Sequence, residues 1–136
     1  MEIKKYSVNT DGGSRGNPGP AAIGLVIRDQ DGKIIEEFGK TIGNQTNNYA
    51  EYFALITALE KLKSFGATQV ECILDSELVV KQLKGEYKVK ELTLQQMHQQ
   101  VLVLSNNFDQ VVFRHVRREQ NKEADKLVNR ALDGFI

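Results

Sequence analysis

The sequence has 136 residues, of which 18 are basic and 18 acidic, so its formal net charge is zero. This balance excludes an overall positive field that would attract a polyanion, and the length leaves little room for a second domain. The single cysteine, Cys72, excludes an internal disulfide and lies in an apolar run that predicts a core position. The N-terminus lacks the apolar segment of a signal peptide, and no apolar run approaches the ~20 residues of a membrane span. We therefore expect one intracellular, cytoplasmic domain covering residues 1–136.

The first third of the chain has the pattern of three β-strands. We predict strands at 3–11, 21–28 and 33–41. The stretch 11–20 between the first two is rich in glycine and proline, which predicts a turn-rich loop. Residues 29–32 contain a hairpin signal, so the three strands should form a meander.

The rest of the chain alternates helices and strands. We predict a helix at 46–64, a strand at 69–75, a short helix at 76–83, a helix at about 91–106, a strand at 110–115 and a helix at about 121–132. In the first helix, the pattern predicts an N-cap at Asn48 with Glu51 as the acid at the third helical position. Strands that follow helices tend to run parallel to their neighbours, so this order predicts an α/β fold with a mixed five-stranded sheet and helices packed on it.

Four acids occupy positions unlike those of ordinary surface acids. Asp11 and Asp75 end the first and fourth predicted strands, and parallel strands would bring both carboxylates to one edge of the sheet. Glu51 falls on the apolar stripe of the long helix, where an unpaired carboxylate is costly. Asp125 lies on the apolar side of the last helix. Taken singly, each acid could be a cap, a turn former or an ion-pair partner; taken together, they favour a site for a hard divalent cation such as Mg²⁺.

Other polar residues leave alternatives open. Segment 45–48 precedes a helix, where its side chains could cap the helix or bind phosphate. His115 ends a predicted strand and could move a proton, whereas His98 lies in a polar run and should be exposed. Basic residues gather at 81–90, where a solvated face is expected, and at 114–122, which borders the predicted site.

Four segments, in this order, resemble type 1 ribonuclease H along nearly the whole chain. They are TDGGSRGNPG at 10–19, TNNYAE at 46–51, LDS at 74–76 and NKEAD at 121–125. The resemblance implies a ribonuclease H-like fold with helices on both faces of the sheet. It implies an endonuclease that cuts the RNA strand of an RNA–DNA hybrid and leaves 5′-phosphate and 3′-hydroxyl ends. It also implies that Asp11, Glu51, Asp75 and Asp125 bind two Mg²⁺ or Mn²⁺ ions.

The resemblance further implies substrate contacts and a mobile histidine. The implied contacts are Asn17 and Thr46 with a DNA-strand phosphate, Asn48 in the minor groove, and Gly12 and Ser76 with the RNA backbone. His115 matches the family's mobile histidine, which implies a role in metal or product departure. Segment 85–91 is short where some family members carry a basic protrusion. A non-catalytic nucleic-acid-binding module on the same fold is the alternative, and nothing in the sequence requires more than a monomer.

Overall fold

The computed structural model describes residues 2–136 and contains one five-stranded sheet with four α-helices. The strands are β1 (Lys5–Ser14), β2 (Gly19–Arg28), β3 (Ile34–Gln45), β4 (Gln69–Leu74) and β5 (Gln110–His115). The helices are α1 (Asn47–Ser64), α2 (Glu77–Leu83), α3 (Leu92–Ser105) and α4 (Lys122–Leu132), with a short 3₁₀ helix at Arg118–Gln120. The strand order is β3-β2-β1-β4-β5, with antiparallel pairing among the first three strands and parallel pairing of β4 with β1 and β5. The predicted mixed sheet is confirmed.

β1 continues beyond the point where the sequence predicted its end. It runs to Ser14 because its antiparallel pairing with β2 extends to the pair Ser14↔Ala21. The parallel pairing with β4, in contrast, stops at Thr10↔Leu74. The prediction that Asp11 ends the first strand is therefore wrong. Gly12 and Gly13 indicated a loop, but they lie in paired strand backbone.

The main hydrophobic core lies between the sheet and α1 with α3. Leu55, Ala58 and Leu62 of α1 are fully buried, as the apolar stripe predicted. Met97 and Val101 of α3 are buried in the same cluster. Cys72 of β4 is inaccessible and belongs to this core. Among residues 2–136, no helix has both the length and the apolar composition needed to cross a bilayer.

α4 packs on the opposite face of the sheet, which confirms helices on both faces. Val128 and Ala131 pack there against Ala22 of β2. Gly24 makes this approach possible, because a methyl group at its position would lie 2.2 Å from the carbonyl oxygen of Ala124. The helix backbone thus rests directly on the backbone of the strand.

His98 is half-buried, so the prediction that it is exposed is wrong. Its Nε2 forms a 3.0 Å hydrogen bond with the carbonyl oxygen of Gln82, at the end of α2. The side chain of Gln82 in turn accepts a 2.7 Å hydrogen bond from the Tyr52 hydroxyl of α1. His98 lies beside the buried apolar residues of α3. The glutamines around it in sequence suggested an exposed position.

Replacing Gly24 with alanine should destabilise the protein, because the methyl group would collide with the backbone of α4. We expect a loss of about 1–3 kcal/mol in the free energy of unfolding, measured by urea denaturation. Gly13→Ala is the control: its nearest neighbour is Val128 Cγ1 at 3.9 Å, so the variant should be neutral or slightly stabilised. Equal free energies of unfolding for the two variants would show that the close approach of α4 does not restrict which residue can occupy position 24.

Candidate active site

Two carboxylates meet where the parallel ladder of the sheet ends. Thr10 and Leu74 are the last paired residues of β1 and β4, and Asp11 and Asp75 follow them directly. Asp11 is 8 % exposed and stays paired with β2, whereas Asp75 is half-buried in the turn before α2. The predicted meeting of these two acids at one edge of the sheet is therefore present.

Glu51 reaches this edge from α1. It is the fifth residue of the helix and is 7 % exposed, as the apolar stripe predicted. Its Oε1 accepts a 2.8 Å hydrogen bond from the backbone N–H of Gly12. The predicted N-cap at Asn48 is wrong, because Thr46 caps the helix by accepting from Tyr49 N at 3.2 Å. The sequence offers several adjacent capping residues, and the end of β3 determines which of them is used.

The carboxylates form one cluster. Each of Asp11, Glu51 and Asp75 offers an oxygen, and these oxygens lie within 4.8 Å of one another. Asp125, in the first turn of α4, is half-buried and lines the same cleft of about 310 Å³. One oxygen of Asp125 accepts a 3.4 Å hydrogen bond from Asn129 Nδ2 of the next helical turn. All four predicted acids are thus brought to one cleft.

The cluster is electrostatically unfavourable without a counter-charge. Burial, followed by the charges of Asp75 and Asp125 and a hydrogen bond with Asp125, raises the pKa of Asp11 to about 8. Burial, followed by the charges of Asp11 and Asp75, raises the pKa of Glu51 well above its usual range, and the hydrogen bond from Gly12 and then the charge of Arg118 partly oppose this shift. Within residues 2–136, no lysine or arginine forms an ion pair with Asp11, Glu51 or Asp75.

A hard divalent cation fits this donor set. Mg²⁺ and Mn²⁺ prefer carboxylate oxygens, and a bound cation would remove the repulsion that raises these pKa values. The cleft offers Asp11, Glu51 and Asp75 within reach of a single ion, with Asp125 at its side. The arrangement can therefore hold divalent metal against an oxygen-rich ligand such as a phosphodiester.

Gly12 has a packing role that the sequence did not reveal. A methyl group at this position would lie 2.2 Å from the carbonyl carbon of Ala50 in α1. The absence of a side chain lets α1 approach closely enough for Glu51 to bind the Gly12 amide. The packing of α1 thus requires glycine at position 12, independently of any contact that Gly12 makes with a nucleic acid.

The other predicted contact residues are not among the described residues that line the cleft, although Asn47, which lies between Thr46 and Asn48, is. Asn17 is exposed, and its Oδ1 accepts a 2.9 Å hydrogen bond from the backbone N–H of Asn47. Ser76 caps α2 by accepting from Val79 N at 3.2 Å. Asn48 is half-buried, and no side-chain hydrogen bond of Asn48 is found within residues 2–136.

His115 lies at the end of β5 and is exposed. It pairs with Leu74, the residue before Asp75, so it lies one strand away from the carboxylates. Within the described residues it is not among those that line the cleft. Its role therefore stays a prediction.

Two asparagines at the site have roles that the sequence did not reveal. The Oδ1 of Asn47 accepts from the backbone N–H of Ser14 at 2.8 Å, and Asn47 lines the cleft. The buried Asn121 donates to Asp75 Oδ2 at 3.1 Å. Both belong to segments that resemble the family, but only the position of each in the fold reveals its partner.

The comparisons with known proteins agree with this geometry. The sequence model of the Reverse transcriptase-like family matches residues 9–131. Ribonuclease HI of Halobacterium salinarum is 48 % identical over 123 residues, which cover 90 % of this chain. This chain belongs to the type 1 ribonuclease H family. It spans 62 % of the length of the Halobacterium protein, and 36 % of the bifunctional protein Rv2228c of Mycobacterium tuberculosis, to which it is 41 % identical.

Solved structures of ribonuclease H family members share the fold. The RNase H1 of Halobacterium salinarum superposes with a TM-score of 0.93 and 45 % identity, over 96 % of this chain and 98 % of that one. LC11-RNase H1, solved in complex with an RNA/DNA hybrid, superposes with a TM-score of 0.90 and 47 % identity, over 95 % and 97 % of the two chains. The ribonuclease H-like fold class is confirmed.

The stability of the metal-free protein should fall as the pH rises from about 4 to about 8. Unfolded Asp11 ionises near 3.8, whereas the folded protein holds its proton until about pH 8. The folded state therefore binds more protons across this window, and each pH unit costs at most about 1.4 kcal/mol per group. Urea denaturation in a chelator should show this slope, and Asp11→Asn should reduce it. The exposed Asp109→Asn variant should keep the wild-type slope; a flat wild-type profile would contradict the assigned pKa of Asp11.

Proposed function

We propose that this chain is an endonuclease that hydrolyses the RNA strand of RNA–DNA hybrids, with residues 1–136 forming a single catalytic domain. The observation that carries the proposal is the close approach of Asp11, Glu51 and Asp75, which form no ion pair with a basic residue within residues 2–136. Membership of the ribonuclease H family and the hybrid-bound state of the related LC11-RNase H1 support the choice of substrate. The products would carry 5′-phosphate and 3′-hydroxyl ends.

The cofactors in this proposal are two Mg²⁺ or Mn²⁺ ions held by Asp11, Glu51, Asp75 and Asp125. When bound, such ions lower the pKa of a water molecule and stabilise the negative charge on the leaving oxygen. The hydrogen bond from Gly12 N holds one oxygen of Glu51, and Glu51 lines the cleft. Anchored carboxylates lose little freedom on binding metal, which favours a defined geometry.

The proposed substrate contacts are those that the family resemblance implies, and two of these residues keep a free hydrogen-bond donor. Thr46 uses a lone pair of its hydroxyl as the α1 cap, so its hydroxyl hydrogen can donate to a phosphate. Asn17 uses its Oδ1 to hold Asn47, so its Nδ2 can donate as well. We assign both to a DNA-strand phosphate, Asn48 to the minor groove, and Gly12 and Ser76 to the RNA backbone.

His115 is proposed to assist departure of metal or product. It is exposed at the end of β5, beside the end of β4. Its place one strand away from the carboxylates suits a group that acts after cleavage. The protein is proposed to act as a monomer, because all four carboxylates come from one chain.

Asp11→Asn should abolish cleavage of a labelled RNA–DNA hybrid in Mg²⁺ or Mn²⁺ while hybrid binding survives. The substitution removes a metal ligand and leaves the basic and amide groups at the cleft unchanged. Cleavage is measured by gel electrophoresis, and binding by fluorescence anisotropy in Ca²⁺. Asp109→Asn, a matched change at an exposed site, should cleave like the wild type.

Intact hybrid with the wild-type protein under both metals would contradict the enzyme and leave a non-catalytic nucleic-acid-binding module on the same fold. Loss of folding in Asp11→Asn would instead assign Asp11 a structural role. A folded Asp11→Asn protein that still cleaves would remove Asp11 from the catalytic set.

His115→Ala should slow turnover by up to about 100-fold, the lower end of proton-transfer effects, without eliminating it. The decrease should be larger under multiple-turnover conditions than in a single turnover, because departure limits only repeated cycles. Rapid-quench measurements of both regimes on the same hybrid test this difference. An unchanged steady-state rate, or equal loss in both regimes, would remove the assigned role.

A further inference from the structure

Asn121 connects three of the elements that carry the carboxylates. It is 1 % exposed and precedes α4. Its Nδ2 donates to the carbonyl oxygen of Thr10 at 2.9 Å and to Asp75 Oδ2 at 3.1 Å. Its backbone carbonyl accepts from Asp125 N at 3.1 Å. One buried residue thus contacts β1 next to Asp11, the carboxylate that follows β4, and the first turn of α4.

The side-chain amide of Asn121 has its orientation fixed from outside the site. Arg28 can only donate hydrogen bonds, and its Nη1 lies 3.3 Å from Asn9 Oδ1. Asn9 therefore turns its Nδ2 toward Asn121, whose Oδ1 accepts at 3.0 Å. This contact directs the Nδ2 of Asn121 toward Asp75. An ion pair between Arg28 and Glu123 of α4 holds Arg28 in place at the outer end of this series of hydrogen bonds.

We propose that Asn121 is a positioning residue that orients the Asp75 carboxylate for metal binding, and that Arg28 and Asn9 determine its orientation. The inference rests on the proposed function. Both N–H groups of the Asn121 amide are used, one on the sheet and one on Asp75. With Oδ2 of Asp75 held in this way, its other oxygen is free for a cation. Partners that hold metal ligands in this manner change metal affinity by about 10- to 100-fold.

A second role for Asn121 has to be separated from positioning. Its bond to the Thr10 carbonyl satisfies buried backbone, so its loss would also destabilise the fold. Gln82 provides the matched control, because it is another buried amide, with hydrogen bonds to Tyr52 and to the Lys88 carbonyl. Gln82→Leu should lower the melting temperature and leave metal binding unchanged, because Gln82 contacts none of the carboxylates.

The hydrogen bonds that lead from Arg28 through Asn9 to Asn121 form a relay. Asn9→Asp tests this relay without changing a carboxylate of the site. The new carboxylate can still accept from Arg28, and it carries a charge that strengthens that contact. It cannot donate to Asn121 Oδ1, so it repels that oxygen or forces the amide to turn over. Either outcome breaks the hydrogen bond to Asp75. The variant thus separates the orientation of the amide from the presence of the amide.

The experiment compares the wild type with Asn121→Ala, Asn9→Asp and Gln82→Leu. Melting temperature, Mn²⁺ binding by calorimetry, and hybrid cleavage against Mg²⁺ concentration are measured for each protein. We expect Asn121→Ala and Asn9→Asp to weaken Mn²⁺ binding and to raise the Mg²⁺ concentration for half-maximal rate by about tenfold or more. The KM for hybrid should be unchanged, and Gln82→Leu should differ only in melting temperature.

Wild-type metal dependence in Asn121→Ala and Asn9→Asp would overturn the inference. Equal shifts in all three variants would do the same, because they would report stability and not orientation. If Asn121→Ala does not fold, Asn9→Asp alone decides. A wild-type protein that binds Mn²⁺ but leaves the hybrid intact would sink the proposed function, while the calorimetric comparison of variants would still test the relay.

Discussion

β1 is longer than its parallel neighbour β4, and the candidate site exists because of that difference. Beyond Thr10 the strand pairs only with β2, so its backbone groups on the other side need new partners. Helix side chains provide them: Asn121 at the Thr10 carbonyl, Glu51 at the Gly12 amide and Asn47 at the Ser14 amide. Asn47 and Glu51 are four residues apart in α1, which corresponds to a rise of about 6 Å. Their partners Gly12 and Ser14 are two residues apart in β1, which corresponds to ~6.7 Å, so the spacing of the helix side chains matches that of the strand amides. The helix therefore replaces the missing strand, and it brings a carboxylate with it.

The arrangement that satisfies the backbone of β1 brings carboxylates together and is electrostatically unfavourable. Glu51 is buried among the oxygens of Asp11 and Asp75, and its hydrogen bond to Gly12 offsets only part of that cost. The same crowding of carboxylates that raises the pKa values favours the binding of a divalent cation. Stability of the metal-free protein and affinity for a divalent ion are thus opposite consequences of one arrangement, as expected where function limits stability.

The sequence predicted the order of the elements, the mixed sheet and the burial of Glu51, because each depends on periodicity within a short segment. It failed where the answer depended on distant partners. Asp11 was placed at a strand end because the glycines after it resemble a loop, and only pairing with β2 extends the strand. Thr46 and Asn48 are both good caps, and sequence alone does not choose between them. The side-chain hydrogen bonds of Asn121 span 46 to 112 residues, so no local pattern encodes them.

At two glycines of the sheet, helix backbone lies so close that a side chain would collide with it. Gly12 meets the backbone of α1 at Ala50, and Gly24 meets the backbone of α4 at Ala124. Contacts of this kind do not depend on which side chains surround them. Any larger residue at either position, on two neighbouring strands, would therefore have to displace a helix that carries one of the four acids.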